Sequence, residues 1–367
     1  MLQDHLGERT ALLRASPQAW AQMTPLMEVV ARGGKMSAES IKAHVRALKQ
    51  AVGQRPVYLD IKKLEPCTPT QTSDGERPAL EILHEAARAR GLAFMPVVWT
   101  SSNEEHLGIV ANTNYLDSQG LALRHRVSGV AIPNGITLES LLKARLEHLR
   151  VDASEVDLLL DLEYLDLDSE PSARWVAGLV TQSARAGTWR SIVLIATSVP
   201  SSFGNGIVPE HSAKELPRRE WTLWRNVVKR VEQPVAFGDY AVQNPVPPPN
   251  PPPIGPWANI RYTLEETLFV ARGFDTRTRG TDQYAELSTW VTSHPSFRGG
   301  AFSHGDSEIA TWSASGQPQV PLAGSMEDFN DDFEESAEVA RPASPTYWRG
   351  VGTSHHLEQV TEQLRQS

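Results

Sequence analysis

Cysteine is nearly absent: Cys67 stands alone among 367 residues, so neither an internal disulfide nor a CxxC redox or zinc pair can form. With no histidine nearby in the sequence, Cys67 reads as incidental rather than nucleophilic. No apolar run approaches the about 18 residues of a membrane-spanning helix, and no basic start leads into the apolar stretch of a secretory signal. Together these absences point to a reducing cytosol, and no membrane partner is expected. Basic residues are also in deficit. Against 44 Asp and Glu there are 35 Lys and Arg, a formal charge of −9, so general nucleic-acid binding, which needs a clustered basic excess, is not expected. The short signatures GxGxxG, GxxxxGK[ST], HExxH and GxSxG are missing too. GNG at 204–206 is too short to form a nucleotide loop.

What the chain has instead is alternation. Seven short apolar blocks recur: PLMEVV, RPVYLDI, AFMPVVWT, LALRHRV, VDLLLDLEYL, RSIVLIATS and PVAFGDYAV. Strands buried on both faces read as near-continuous apolar runs, so the blocks predict parallel strands ending near Glu28, Asp60, Val98, Arg124, Asp161, Thr197 and Asp239. Helical periodicity fills the gaps. Ser37 and Thr137 open two helices, Gly91 closes another, and Pro171 is expected in the first turn of a fourth. In LPRREWTLWRNVVKRV, Trp221, Trp224 and Val228 fall on one helical face and are expected to pack on the sheet. The class is α/β, a TIM-barrel-like (β/α)8 barrel. A barrel wants eight strands and only seven blocks are visible. MLQDHLGERTALLRASPQAW holds no β-branched apolar run, so the first strand is degenerate or missing.

The barrel-like domain is expected over 1–243, followed by a proline-rich loop at 244–257, stiff and extended. Residues 258–367 form a C-terminal extension packing on the barrel, with a hairpin (ANIRYT with TLFVARG), a helix from about Thr281 to Ser293 and a helix in the last dozen residues. Within it, residues 313–342 lack periodic apolar content and carry a dense acidic run, which predicts a disordered insertion.

Parallel strands deliver their C-terminal ends to one mouth. Glu28, Asp60, Arg124, Asp161 and Asp239 sit at such ends, and Arg126 and Glu163 share the facing of Arg124 and Asp161 by the period of two. Charges inside a barrel cost several kcal/mol unless paired or wet. Two readings therefore stand side by side: a site for a divalent cation and acid–base chemistry with an arginine holding an anion, or a structural ring of ion pairs with Arg124, Arg126 and Arg261. FSHGDSEIA adds His304 and Asp306, on one strand face or in a tight turn. GTSHHLEQV adds His355 and His356 at the start of the last helix, whose free N–H groups could hold a phosphate or carboxylate. The candidate set is thus Asp60, Asp161, Asp239 and His304 as catalytic, Arg124, Arg126, Arg261 and His355 as substrate-binding, and Asp161, Asp239 and Asp306 as ligands of a divalent metal.

Taken together, TPLMEVV, RPVYLDI, WRSIVLIATSVPSS, LPRREWTLWR, FGDYAVQNP, ANIRYT, FRGGAFSHGDSEIA and WRGVGTSHHLEQV resemble the beta protein family, named after a bacteriophage protein. The resemblance implies one barrel-like unit with a C-terminal extension, and an association with phage or mobile-element biology. The chain departs from the family pattern in lacking a first strand of the VPILK type before Gly7-Glu8, and in its longer proline-rich and acidic segments. The expected function is a polar site at the barrel mouth that binds or hydrolyses a phosphorylated or nucleotide-like small molecule, as a metal-assisted hydrolase or phosphodiesterase. The alternative is a non-catalytic binding or scaffold component of a phage-defence or mobile-element system, with a protein partner.

Overall fold

Each apolar block forms a strand, and the periodic stretches between them form helices. The computed structural model describes residues 1–3, 5–29, 37–61, 69–72, 75–127, 136–165, 172–204, 206–245, 257–315 and 344–367. In order the chain forms β1 (Leu2–Gln3), α1 (Leu6–Arg14), α2 (Pro17–Trp20), β2 (Leu26–Glu28), α3 (Ala38–Val52), β3 (Val57–Asp60), β4 (Pro69–Thr72), β5 (Gly75–Pro78), α4 (Ala79–Ala89), β6 (Phe94–Trp99), α5 (Glu104–Asp117) and β7 (Leu121–Arg126). Then come α6 (Leu138–Leu149), β8 (Val156–Tyr164), α7 (Ala173–Ala184), β9 (Ser191–Thr197), β10 (Ser212–Pro217), α8 (Arg219–Val228) and β11 (Ala236–Asp239). The chain continues with β12 (Trp257–Thr263), β13 (Thr267–Asp275), α9 (Thr276–Arg279), α10 (Gln283–Thr292), α11 (His304–Ser315) and α12 (Pro345–Gln366). Cys67, Pro171, 246–256 of the proline-rich stretch and 316–343 of the acidic stretch lie outside the described residues.

These elements divide into two compact units, one of Met1–Asp4, Thr24–Pro200 and Arg218–Val246, the other of His5–Met23, Ser201–Pro217 and Pro247–Ser367. Segments 5–23 and 201–217, which the sequence places with the barrel, thus belong to the second unit.

The first unit is an α/β assembly on a parallel sheet of order β1-β2-β3-β6-β7-β8-β9-β11. The strand not visible in sequence is β1, which pairs Leu2 with Met27 and Gln3 with Glu28. Two residues, one of them glutamine, are too few to show a period. Ser37 and Thr137 cap α3 and α6 as read, and Ser172 caps α7. Trp221 and Trp224 of α8 meet Phe237 of β11 edge-on, which buries them on the sheet.

Alternation along the strands sorts one sheet face into layers. Leu26, Val97, Ala122, Leu159, Ile195 and Tyr240 form one apolar cluster, flanked by Met1, Tyr58 and Val193. Two residues back along β8, Asp157 accepts from the Tyr58 hydroxyl at 2.7 Å, from Ser191 at 2.7 Å and from Arg190 at 2.9 and 2.5 Å. Two residues forward lies Asp161. The face therefore runs charge, apolar, charge.

The second unit centres on an antiparallel sheet of order β10-β13-β12. The expected hairpin is β12 with β13, and the expected helix is α10. Ala258, Ile260, Tyr262, Phe269 and Ala271 pack against Tyr284, Leu287, Val291, Ile309, Trp312 and Trp348. Three local readings need correction. β10 adds a third strand, whose SAKELP carries too little apolar content to signal one. His304 and Asp306 open α11 rather than lying on a strand or in a turn, and α12 starts at Pro345, capped by Ser344. Its glycines hid that length, yet they are what lets it pack: a Cβ on Gly350 would come 2.7 Å from the Gly7 carbonyl oxygen.

Candidate functional site

A guanidinium buried beside carboxylates keeps its charge only where every donor finds a partner. Arg124, on the inward face of β7, achieves this. Its Nε and Nη2 donate to Asp161 Oδ2 at 2.9 and 2.5 Å, and its Nη1 donates to Glu28 at 3.0 Å and Asp60 at 2.7 Å. Nη2 also donates to the Tyr240 hydroxyl at 3.0 Å, which in turn donates to Asp161 at 2.7 Å. Trp99 lies flat beneath, its ring centroid 4.1 Å from the guanidinium and its indole N–H 3.2 Å from Asp60. The group is closed from solvent: Arg124 is 1% exposed, Asp60 and Asp161 0%, Glu28 4%. Burial works against the Arg124 charge, but Asp161, Tyr240, Asp60 and Glu28 more than offset it, so its pKa is raised well above the ordinary arginine value. Burial, and next Asp161, likewise raise the Tyr240 phenol, which stays a proton donor.

Four of the sequence-read residues, Glu28, Asp60, Arg124 and Asp161, thus meet in one layer. Asp239 does not face them. Phe237 points to α8, so Asp239 shares that side by alternation while Gly238 and Tyr240 face the layer, and the Asp239 carboxylate accepts from the Ala241 N–H at 2.9 Å. Arg126 and Glu163 form a separate pair at 2.6 Å, with side chains 35% and 14% exposed. Arg126 also lies 5.6 Å from the Trp99 ring centroid. Glu163 follows a register shift after Asp161, adopts φ 56° and donates its N–H to Asp161 at 2.9 Å. A bulge with a left-handed non-glycine residue stores strain of about 1 kcal/mol or more and re-aims a side chain. Near Tyr240, residues Met1, Leu2, Gln243, Asn244 and Pro245 enclose about 10 Å³, room for one water.

The remaining candidates lie in the second unit. Asp306 and His355, both 0% exposed, sit 2.8 Å apart. Asp306 also accepts from Tyr262 at 2.7 Å and Ser303 at 2.5 Å, and His355 donates through Nε2 to the Thr263 carbonyl at 2.7 Å. Tyr262 stacks on the His355 ring at 3.7 Å. GTSHH therefore lies inside α12, buried, not at its start. The anion-binding reading that rested on free N–H groups there is overturned. Arg261 donates to Asn259 at 3.0 Å and stacks on Phe203 at 4.9 Å. Burial, and then Arg349, lower its pKa to about 10. His304 is half-buried and 4.0 Å from Glu308. Asp161 and Asp239 belong to one unit and Asp306 to the other, and among the described residues no three of His, Cys, Asp or Glu are grouped to hold a metal ion.

Sequence reasoning passed over Trp99, Tyr240, Tyr262 and Ser303. Tyr240 carried no signal of its own, because the facing of β11 is set by Phe237 meeting Trp221 and Trp224 of α8. Compared with known proteins, a family model described as Beta protein matches residues 1–362 of the chain. No curated protein matches it.

Proposed function

Since the chain belongs to the beta protein family, we propose that it acts as a non-catalytic binding component, with the parallel sheet closed into a (β/α)8 barrel and the Arg124 layer as its structural keystone. One observation carries this reading. The carboxylates best placed for chemistry are fully buried and already engaged by Arg124 and Tyr240. Closure is supported by the Met1 amine donating to the Asp239 carbonyl of β11, and by Tyr240 packing with Leu26 of β2. The partner on this reading is another protein.

A second reading, binding and hydrolysis of a phosphorylated or nucleotide-like molecule, has its own support in the partly exposed Arg126–Glu163 pair on strained backbone. The two separate cleanly. Wild-type protein, Asp161→Asn and Glu163→Gln are incubated with p-nitrophenyl phosphate, its bis-ester and nucleoside triphosphates, each with Mg²⁺, Mn²⁺ or Zn²⁺. The binding reading expects equal background rates from all three and a partner that co-purifies with each. Turnover by the wild type that either folded variant abolishes would reject it in favour of the second.

A further inference from the structure

The second unit carries a seat for a flat cation, and the chain fills it with one of its own rings. His211 stacks on Phe274 at 4.8 Å with 19° between the planes, and meets Trp290 at 5.2 Å. Its Nε2 lies 3.1 and 3.2 Å from the two oxygens of Glu286. Glu286 and Trp290 are one turn apart on α10, and Phe274 closes the other side from β13. The seat is open to solvent, with the His211 side chain 43% and Glu286 50% exposed.

The way His211 sits there needs a cause. Its φ is 49°, a left-handed conformation that costs a non-glycine residue of order 1 kcal/mol. Anchoring the preceding segment does not explain it, because Arg272 already holds the Phe203 and Val208 carbonyls at 3.2 and 2.5 Å, and both of those side chains are buried. His211 ends the turn into β10, where the Ser212 hydroxyl donates to the Pro209 carbonyl at 2.7 Å, and the ring is held there by the Phe274 face, the Trp290 ring tilted at 58° and the Glu286 carboxylate. Phe274 also takes a guanidinium, that of Arg279, 4.7 Å from its centroid.

We propose that this seat is a docking point for an arginine side chain of a partner polypeptide, with His211 as the occupant it displaces. A guanidinium fits better than the imidazole: it is planar, stacks on aromatic faces, and offers two parallel N–H groups to both oxygens of Glu286 where His211 offers one. A lysine ammonium cannot stack and is the weaker ligand. The proposal is independent of the reading of the Arg124 layer, so its failure leaves that reading in place.

The test uses the full chain with Nα-acetyl-arginine amide and Nα-acetyl-lysine amide as probes. Binding is read from the indole N–H resonance of Trp290, assigned by its loss in Trp290→Phe. His211→Asn and His211→Gly both tolerate left-handed backbone and empty the seat without disturbing the fold. Each is expected to bind the arginine probe several-fold more tightly than the wild type, because the competing occupant is gone. The lysine probe is expected to bind more weakly, and Glu286→Gln added to His211→Gly is expected to remove the response. Equal affinity in wild type and both His211 variants, equal response to the two probes, or a response indifferent to Glu286→Gln each overturns the proposal.

Discussion

Replacing Arg124 by methionine keeps the length and apolar stem of the side chain and removes only its head. That head makes hydrogen bonds to Asp161, Asp60, Glu28 and Tyr240. Without it three carboxylates share a buried layer with no cation between them. Breaking a single buried pair by removing one partner costs about 3–5 kcal/mol, and here one removal takes the guanidinium from three carboxylates, so about 4 kcal/mol is the expected cost. Set against a total stability of about 5–15 kcal/mol, that is a large fraction, and it lowers the melting temperature by roughly 8–16 °C for a unit of this size. Urea unfolding followed by tryptophan fluorescence suits the measurement, because Trp99 lies against the guanidinium. A triple variant, Arg124→Met with Asp60→Asn and Asp161→Asn, removes most of the unpaired charge and is expected to recover a large part of the loss. A cost below about 1 kcal/mol for Arg124→Met, within the range of exposed pairs, would refute the keystone role, as would a triple variant no more stable than the single one.

Acid offers a second handle. Burial holds His84 down to about 3, and burial holds His106 down to about 4, so their neutral forms are the folded ones. Stability is then complete above the ordinary value of 6.5 and is lost as pH falls from there toward 4 and 3, at about 1.4 kcal/mol per pH unit for each histidine. Urea midpoints at pH 7.5 and 5 measure the loss, and His84→Gln with His106→Gln should flatten it. Asp306→Ala should cost about 3 kcal/mol by removing the buried carboxylate that His355, Tyr262 and Ser303 share, whereas half-buried His304→Ala should stay below about 1 kcal/mol; thermal unfolding of the two variants compares them. Gly350→Ala should cost about 1–3 kcal/mol, since its new Cβ meets the Gly7 backbone at 2.7 to 3.0 Å; circular dichroism at 222 nm during melting reads it.

The α/β class, seven strands of the parallel sheet and the helix caps Ser37 and Thr137 were legible because apolar runs and capping residues act locally. So was the convergence of Glu28, Asp60, Arg124 and Asp161, which follows from parallel strands and a period of two. What escaped was decided elsewhere. β1 is too short to show a period, and the facing of Asp239 depends on which residues of β11 meet α8. Nothing near His355 in the sequence marks it as the middle of a helix, because Gly350, which weakens local helix propensity, is there to admit the Gly7 backbone of α1. The left-handed backbone at Glu163 and His211 has no glycine to announce it.

The order of charge, apolar and charge along β8 also bears on how the sheet finds its alignment. A slip of one residue turns every side chain to the wrong face, but a slip of two preserves facing, and apolar alternation alone is blind to it. Here a two-residue slip would drive Asp157 or Asp161 into the apolar cluster around Leu159 and strand its partner, Arg190 or Arg124. The two ionic layers thus act as end stops on the strand, rejecting the misalignments that hydrophobicity by itself would accept.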